Sequence, residues 1–372
     1  MLKCLNVSMY RENYKLGTKS VLGVDIGTTS VKIVELSRKN DGRMRLETYG
    51  SLESVVHKQA IEETLQSSTE KISDAQAASM VKKIIKEANV KTKRVVMSAP
   101  VFSTFTSVIE FPEMSEQEIE SAIKFEARQY VPVPLSEVVL GWNIIGKKTY
   151  DLLGGGSASN KVLVLIVAIP KELSNKFANI ARLSNLQLVA LETESFALIR
   201  SLLGNDKSTV VLVDIGSRAT NISVVSGGFI RVSRGLDTSG AEITKVLAGG
   251  MGIDMKRANE LKRSVGLKMD GSNKQVAEVI LPIVDIIMGE TKRIIDVFSK
   301  KEGSESQIER IILAGGSAGI PGLAERFTEV TKVKAMVSNP WSRVEYPEEL
   351  GNILNMIGPS FAVAVGLAMR EI

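Results

Sequence analysis

The sequence has little of what most metal and redox chemistry needs. It holds one cysteine, Cys4, and one histidine, His57, among 372 residues. A single cysteine excludes a disulfide framework and a cysteine-rich metal site. A single histidine argues against an imidazole-based zinc centre and against a histidine-dependent triad. Long apolar runs are scarce as well. The strongest, 162–170 and 279–289, fall short of the roughly 18–20 residues that span a bilayer, and the second is broken by Pro282 and Asp285. Residues 1–20 lack the apolar centre of a secretory signal. They carry Lys3, Arg11, Lys15 and Lys19, and a loosely ordered extension is expected there. No basic run is present either: 47 Lys and Arg against 42 Asp and Glu leave a net charge of +5, too mild to call for a nucleic acid. A cytoplasmic location with no transmembrane segment is expected. Chemistry has to come from carboxylates, hydroxyls, lysines and backbone amides.

What the sequence does have is length and a repeat. At about 150 residues per domain it holds roughly two to three domains, ample for a core without covalent or metal staples. Strand-like and helix-like segments alternate. Strands are expected over 21–26, 32–36 and 43–50, a helix over 73–88 and a strand over 94–98. Ser115 is placed to cap a helix with an acidic first turn, which must stop before Val131-Pro132-Val133-Pro134. A strand over 161–169, a helix over 171–183 and a strand over 186–191 follow, with Gly154–Ser157 as a hairpin tip. The second half offers strands over 210–215, 220–225, 229–234 and 310–313. Its helices are expected over 240–248, 254–264, 273–298 with a kink at Pro282, 321–330 and 359–370. The strongest internal feature is a duplication: Gly23-Val-Asp25-Ile-Gly27-Thr-Thr-Ser and Leu212-Val-Asp214-Ile-Gly216-Ser-Arg-Ala. Each copy is an apolar strand, then Asp-Ile-Gly, small residues and a second strand, which implies two similar halves facing each other.

The repeated unit suits phosphate. Gly27 and Gly216 let the chain turn tightly. Backbone N–H groups there, with the hydroxyls of Thr28, Thr29, Ser30 and Ser217, can cradle phosphate oxygens. Asp25 and Asp214 fall at strand ends, where each can hold a hydrated Mg2+. Facing each other at about 7 Å in an effective dielectric of about 20, they would repel by roughly 2 kcal/mol, a cost that a bound Mg2+ reverses. Lys32 can neutralise a phosphate from the second strand. A third segment, Ile312-Leu-Ala314-Gly315-Gly316-Ser317-Ala-Gly319-Ile-Pro321-Gly322, reads as a strand, two glycines and a Pro-Gly entry to a helix. Side-chain-free Gly315 and Gly316 leave room for a ring, a ribose or a phosphate, with Ser317 beside them as a further binding candidate. A lone Asp-x-Gly is an ordinary hairpin turn; two copies followed by this third segment are specific.

In this order and spacing the three segments resemble the actin-like ATPase superfamily of actin, heat-shock chaperone ATPases, sugar kinases and FtsA. The resemblance implies an α/β fold of duplicated, ribonuclease H-like domains around a nucleotide cleft, with ATP and Mg2+ as cofactors. It makes Gly23–Ser30 with Lys32 the first phosphate segment, Asp214–Thr220 the second and Ala314–Gly322 the adenosine segment. Connecting helices would begin near Glu192–Ala197 and Gly358–Gly366, where small residues let them cross closely. Actin's hydrolytic glutamine falls near Glu192, the candidate catalytic residue: a glutamate there can orient water, or serve as a buried structural carboxylate at a helix start. Where relatives carry Ala-Glu-Glu-Leu-Lys beside the nucleoside, this sequence reads Ala258-Asn259-Glu260-Leu261-Lys262, which leaves Lys262 as the contact. ATP binding is better supported than turnover, so at most a slow ATPase is expected.

Within the superfamily the sequence is most similar to the PilM family of type IV pilus assembly, on the FtsA/PilM branch. The similarity rests on Phe125-Glu-Ala-Arg-Gln-Tyr-Val-Pro132-Val-Pro134-Leu-Ser-Glu-Val and Leu191-Glu-Thr-Glu-Ser-Phe-Ala-Leu, and runs from about Val21 onward. It implies an extension over 1–20 and a first half over 21–205 with an inserted subdomain near 101–185. A second half over 206–344 has a helical insert near 240–305, and 345–372 returns to the first half. The implied function is a cytoplasmic ATP-binding scaffold, peripheral at the inner membrane. It would capture the N-terminal cytoplasmic tail of PilN in a groove between the first half and its insert, alongside other pilus inner-membrane components. No counterpart of FtsA's C-terminal amphipathic helix is expected after Ile372. Two other readings are an FtsA-like division or cytoskeletal scaffold, and a small-molecule kinase. Sugar kinases share Asp25-Ile-Gly-Thr-Thr-Ser, but no loop here supplies an obvious Asp base for an acceptor hydroxyl.

Overall fold

The computed structural model describes residues 20–53, 73–151, 158–269, 271, 274–302 and 307–370. Residues 1–19 of the expected extension, Cys4, His57 and the 154–157 hairpin tip lie outside the described residues. The first sheet starts with an antiparallel meander, β1 (Ser20–Ile26), β2 (Ser30–Arg38) and β3 (Met44–Glu53). Next to β1 lie β4 (Arg94–Ala99) and then β8 (Gln187–Thr193), both parallel, while the short β14 (Val344–Glu345) joins the far side of β3. The second sheet repeats the plan. Its meander is β9 (Val210–Ile215), β10 (Thr220–Ser226) and β11 (Phe229–Leu236), with β12 (Arg310–Ala314) and β13 (Ala335–Val337) parallel beside β9.

Near-continuous apolar strands such as Val21, Leu22 and Val24 need cover on both faces. One face of the first sheet is covered by α1 (Asp74–Glu87) and α3 (Lys171–Leu183), through Ala77, Val81, Ile84, Phe177 and Ile180. The outer face of the second sheet is covered by α5 (Gly240–Met251), α6 (Met255–Ser264), α7 (Lys274–Glu302) and α8 (Leu323–Thr331). Between the sheets lies a shared layer of two helices, α4 (Glu194–Leu202) and α9 (Gly351–Ala368). Ala197, Leu198, Ala362, Val363 and Leu367 pack there against Val21 and Val96 on one side and Val210, Leu212 and Ile312 on the other.

The expected close crossing is present. A Cβ added to Gly366 would lie 1.9 Å from the Ala197 carbonyl oxygen, and one added to Gly23 would lie 2.1 Å from that of Ala364. So α9 touches both α4 and β1 backbone to backbone. It begins at Gly351, eight residues before the expected start, and Pro359 sits inside it. Trp341 is buried against Phe361 and Tyr49, and its indole N–H donates to the Leu354 carbonyl, which fixes that first turn. Among the described residues one stretch, Glu348–Ala368, is long and apolar enough to cross a membrane. Asn352, Asn355 and Pro359 break its run in the sequence, and here its apolar side is spent on the two sheets.

A third sheet is inserted between β4 and α3. It comprises β5 (Phe105–Pro112), β6 (Val138–Asp151) and β7 (Ala158–Pro170), with β7 central. Helix α2 (Glu116–Glu126) covers it through Ile119 and Ile123, and starts on the anticipated Ser115 cap, whose side chain trades hydrogen bonds with Glu118. Strand β7 matches the one expected over 161–169, while β5 and β6 were not among the expected strands. Helix α7 runs through Pro282, and α8 begins at Leu323, two residues after Pro321.

Gly366→Ala should cost at least about 1–3 kcal/mol, because neither backbone at the crossing has a side chain that can give way. Urea unfolding checks this, and an unchanged midpoint would show that the crossing is looser than the structure has it.

Candidate functional site

The two Asp-Ile-Gly units form the same turn. Gly27 N–H donates to the Ser30 carbonyl and Gly216 N–H to the Ala219 carbonyl, each at 3.0 Å. A Cβ on Gly216 would meet the Ala219 oxygen at 2.9 Å, which explains the glycine. Register pairs Asp25 with Lys32 and Asp214 with Asn221, so only the first half sets a lysine opposite its aspartate. Asp25 is 7% exposed and accepts a 2.8 Å hydrogen bond from Ser98 Oγ. Lys32 Nζ donates to Ser30 Oγ at 2.9 Å.

These carboxylates feel one another across the two halves. Burial and then the charge of Asp25 push the Asp214 carboxyl up to about 6, against a pull from Lys32. A third carboxylate joins them, Glu194 at the start of α4. Burial first, then Asp25 and Asp214, hold its carboxyl well above the usual range, while its Oε2 accepts the Val101 N–H at 3.2 Å.

The second and third segments meet at the start of α5. Gly240 N–H donates to the Gly216 carbonyl at 2.9 Å, Ala241 N–H to that of Ser217 at 3.1 Å, and Ser317 N–H to that of Ile215 at 3.3 Å. The two expected glycines divide the work. Gly315 has φ +89°, and a Cβ there would fall 2.5 Å from both Asp214 Oδ1 and the Ile215 oxygen. It serves the backbone. Gly316 is exposed with nothing within 4 Å of an added Cβ, so it is the glycine that leaves open space. Lys262 is 5% exposed, with Nζ donating to the Gly240 carbonyl at 2.8 Å and Thr244 Oγ1 at 2.7 Å. Burial, aided by Arg263, lowers its amine to about 8. Two of its three donors are taken, which leaves one for a ligand.

Glu192 is held in ion pairs. It is 3% exposed, and both of its oxygens are occupied: Arg200 donates at 2.6 and 2.9 Å and Arg370 at 2.7 Å. Arg200 also donates to the Gly366 carbonyl at 2.7 Å. Glu192 therefore acts as a structural clamp beneath the helix crossing. The glutamate that reaches the aspartates is Glu194. Its position in the first turn of a helix was the available signal.

The expected Mg2+ can be tested against the donor set. Among the described residues, no three acidic, histidine or cysteine side chains are grouped to chelate an ion directly. The negative charge of Asp25 nonetheless acts on Asp214, with Lys32 as the counter-charge. That suits a cation that keeps most of its waters and completes its shell with phosphate oxygens, as Mg2+ does.

Two sheets with one strand order, a shared helical layer between them and an Asp-Ile-Gly turn from each at their junction define an actin-like fold. Within it the chain belongs to the family described as type IV pilus assembly protein PilM, which matches residues 23–372. The solved structure of a PilM-PilN type IV pilus biogenesis complex is similar at 26% identity and TM-score 0.75, over 94% of this chain and 98% of that one. Cell division protein FtsA of Pseudomonas aeruginosa is 23% identical, over 94% of this chain and 89% of its own. MreB5 of Spiroplasma citri bound to ADP shares the fold at 14% identity and TM-score 0.52, over 95% of this chain and 96% of that one.

Two outcomes are expected. Glu192→Ala removes the carboxylate that Arg200 and Arg370 share, and should cost about 3–5 kcal/mol in urea unfolding. Folded Asp214 keeps its proton to about 6, whereas an unfolded aspartate releases it near 3.8. The folded state thus binds more protons between those values, and this contribution to stability falls as pH rises through that window and is flat above it. Melting in EDTA from pH 4 to 7 should show wild type losing ground to Asp214→Asn across the window.

Proposed function

We propose that this chain binds MgATP between its two halves, 21–205 with 345–372 and 206–344. It works as a scaffold of the type IV pilus machine, peripheral at the cytoplasmic face of the inner membrane. The observation that carries the nucleotide reading is the pair of glycine turns with one hydrogen-bond pattern, each following an aspartate, where Asp25 and Asp214 both raise the carboxyl of Glu194, with Gly316 opening onto free space. Asp25 and Asp214 would hold the hydrated Mg2+. The N–H groups and hydroxyls of Gly27–Ser30 and Gly216–Ser217 would hold phosphates, with Lys32 as counter-charge. Gly316, Ser317 and the remaining donor of Lys262 would face the nucleoside. Bound Mg2+ would supply charge neutralisation of the phosphates. With Glu192 committed to two arginines, turnover is expected to be slow at most.

The partner reading is supported by the family and by the PilM-PilN complex, whose fold this chain shares at 26% identity. An extended N-terminal segment of PilN would lie between the first half and the inserted sheet, a mode in which backbone hydrogen bonds and alternate side-chain pockets carry recognition. That interaction would dock the chain on the membrane. Other inner-membrane pilus components would assemble on the same platform.

Calorimetry with MgATP and with a PilN tail peptide, separately, tests both readings. Wild type should bind each saturably. Asp25→Asn and Gly316→Val should each weaken MgATP at least about tenfold, a loss of roughly 1.4 kcal/mol, while peptide affinity stays. Absence of saturable MgATP binding by wild type would overturn the nucleotide reading, and absence of peptide binding the partner reading.

A further inference from the structure

We infer that Glu194 and Phe102 couple the nucleotide site to the inserted three-stranded sheet, through the short turn by which the chain enters that sheet. This inference rests on the nucleotide reading above. Beyond β4 the chain passes through a single turn at Val101–Ser103 before β5 begins, closed by Ser103 N–H to the Pro100 carbonyl at 3.0 Å and Thr104 N–H to that of Val101 at 3.1 Å. Three points along this passage touch three different parts of the site. Ser98 Oγ donates to Asp25 at 2.8 Å. Val101 N–H donates to Glu194 at 3.2 Å. Phe102 lies under the guanidinium of Arg218, 5.4 Å from its ring centroid, and Arg218 belongs to the Gly216–Ala219 turn of the opposite half.

Holding a turn in place does not account for these choices. A neutral serine or asparagine would satisfy the Val101 N–H without setting a third carboxylate against Asp25 and Asp214. Phe102 is 56% exposed, so its ring is not there to fill a core. Both residues become intelligible if the load on the turn changes with occupancy. A cation held by Asp25 and Asp214 would offset the negative charge that Glu194 feels from them, and the Val101 N–H is bonded to the group that would feel the change. Movement of the halves toward each other would press Arg218 onto Phe102 and load the same turn from the other side. The element biased by the site is therefore the root of the inserted sheet, and coupling of this kind acts equally in both directions.

The experiment is amide hydrogen exchange on the full chain with and without saturating MgATP, occupancy being confirmed by calorimetry. Wild type should show exchange across residues 101–104 slowed about fivefold or more, the lower end of ordinary coupling between sites. Phe102→Ala should bind MgATP as wild type does yet lose much of that slowing. Glu194→Gln, compared at saturation, should lose most of it. Failure of wild type to bind MgATP would remove the nucleotide reading and this inference together. MgATP binding with unchanged exchange at 101–104, or full slowing retained in both variants, would overturn the coupling and leave the nucleotide reading standing.

Discussion

The backbone contact between α4 and α9 sets the geometry of everything above it. Where Ala197 and Gly366 meet there is no side chain to absorb a displacement, so the spacing of the two helices is fixed by main-chain atoms. Gly23 extends the same condition to β1, whose far end carries Asp25. Because these helices pack against both sheets, they decide how far apart the strand ends holding Asp25 and Asp214 come to rest. The clamp of Glu192, Arg200 and Arg370 serves this crossing. Arg200 bonds Glu192 and the Gly366 carbonyl with one nitrogen, tying β8, α4 and α9 at a single point.

Upon that rigid base the fold assembles something electrostatically unfavourable. Three carboxylates lie within each other's field, and only Lys32 opposes them among the groups that shift Asp214. Packing elsewhere outweighs this cost, as is usual for strain kept at a functional site. A ligand that relieves it binds the folded state alone and so stabilises the whole chain by mass action. The site and the stability of the protein are thus linked through charge, while the clamp below keeps its own acid and bases fully paired.

Legibility in the sequence followed range. The duplicated turns were readable because their cause is local: a glycine N–H and a carbonyl three residues on. Ser73 and Ser115 were readable as helix boundaries for the same reason, each bonding within its own first turn. The separate roles of Glu192 and Glu194 were not. Both lie at one strand–helix joint, and what separates them is Arg370, 178 positions away. The different duties of Gly315 and Gly316 likewise depend on a distant neighbour, Asp214, and on a positive φ that composition does not show. Strands β5 and β6 lacked a clear apolar run, since β7 between them takes most of the burial. Helix α9 was seen only in its second half, because Pro359 reads as a start until Trp341 is known to hold the turn before it.

The C-terminal return has a consequence for synthesis. Strands β1 to β4 and β8 exist once residue 193 has been made, yet part of the cover over Val21, Val34 and Leu36 comes from α9, residues 351–368. The second sheet and its own helices are contiguous, from 210 to 337. On the ribosome the second half can close its outer core while the first still shows apolar strands to water. Order of folding then runs against order of translation, and the older half of the chain is the one that depends on shelter from aggregation until the end arrives.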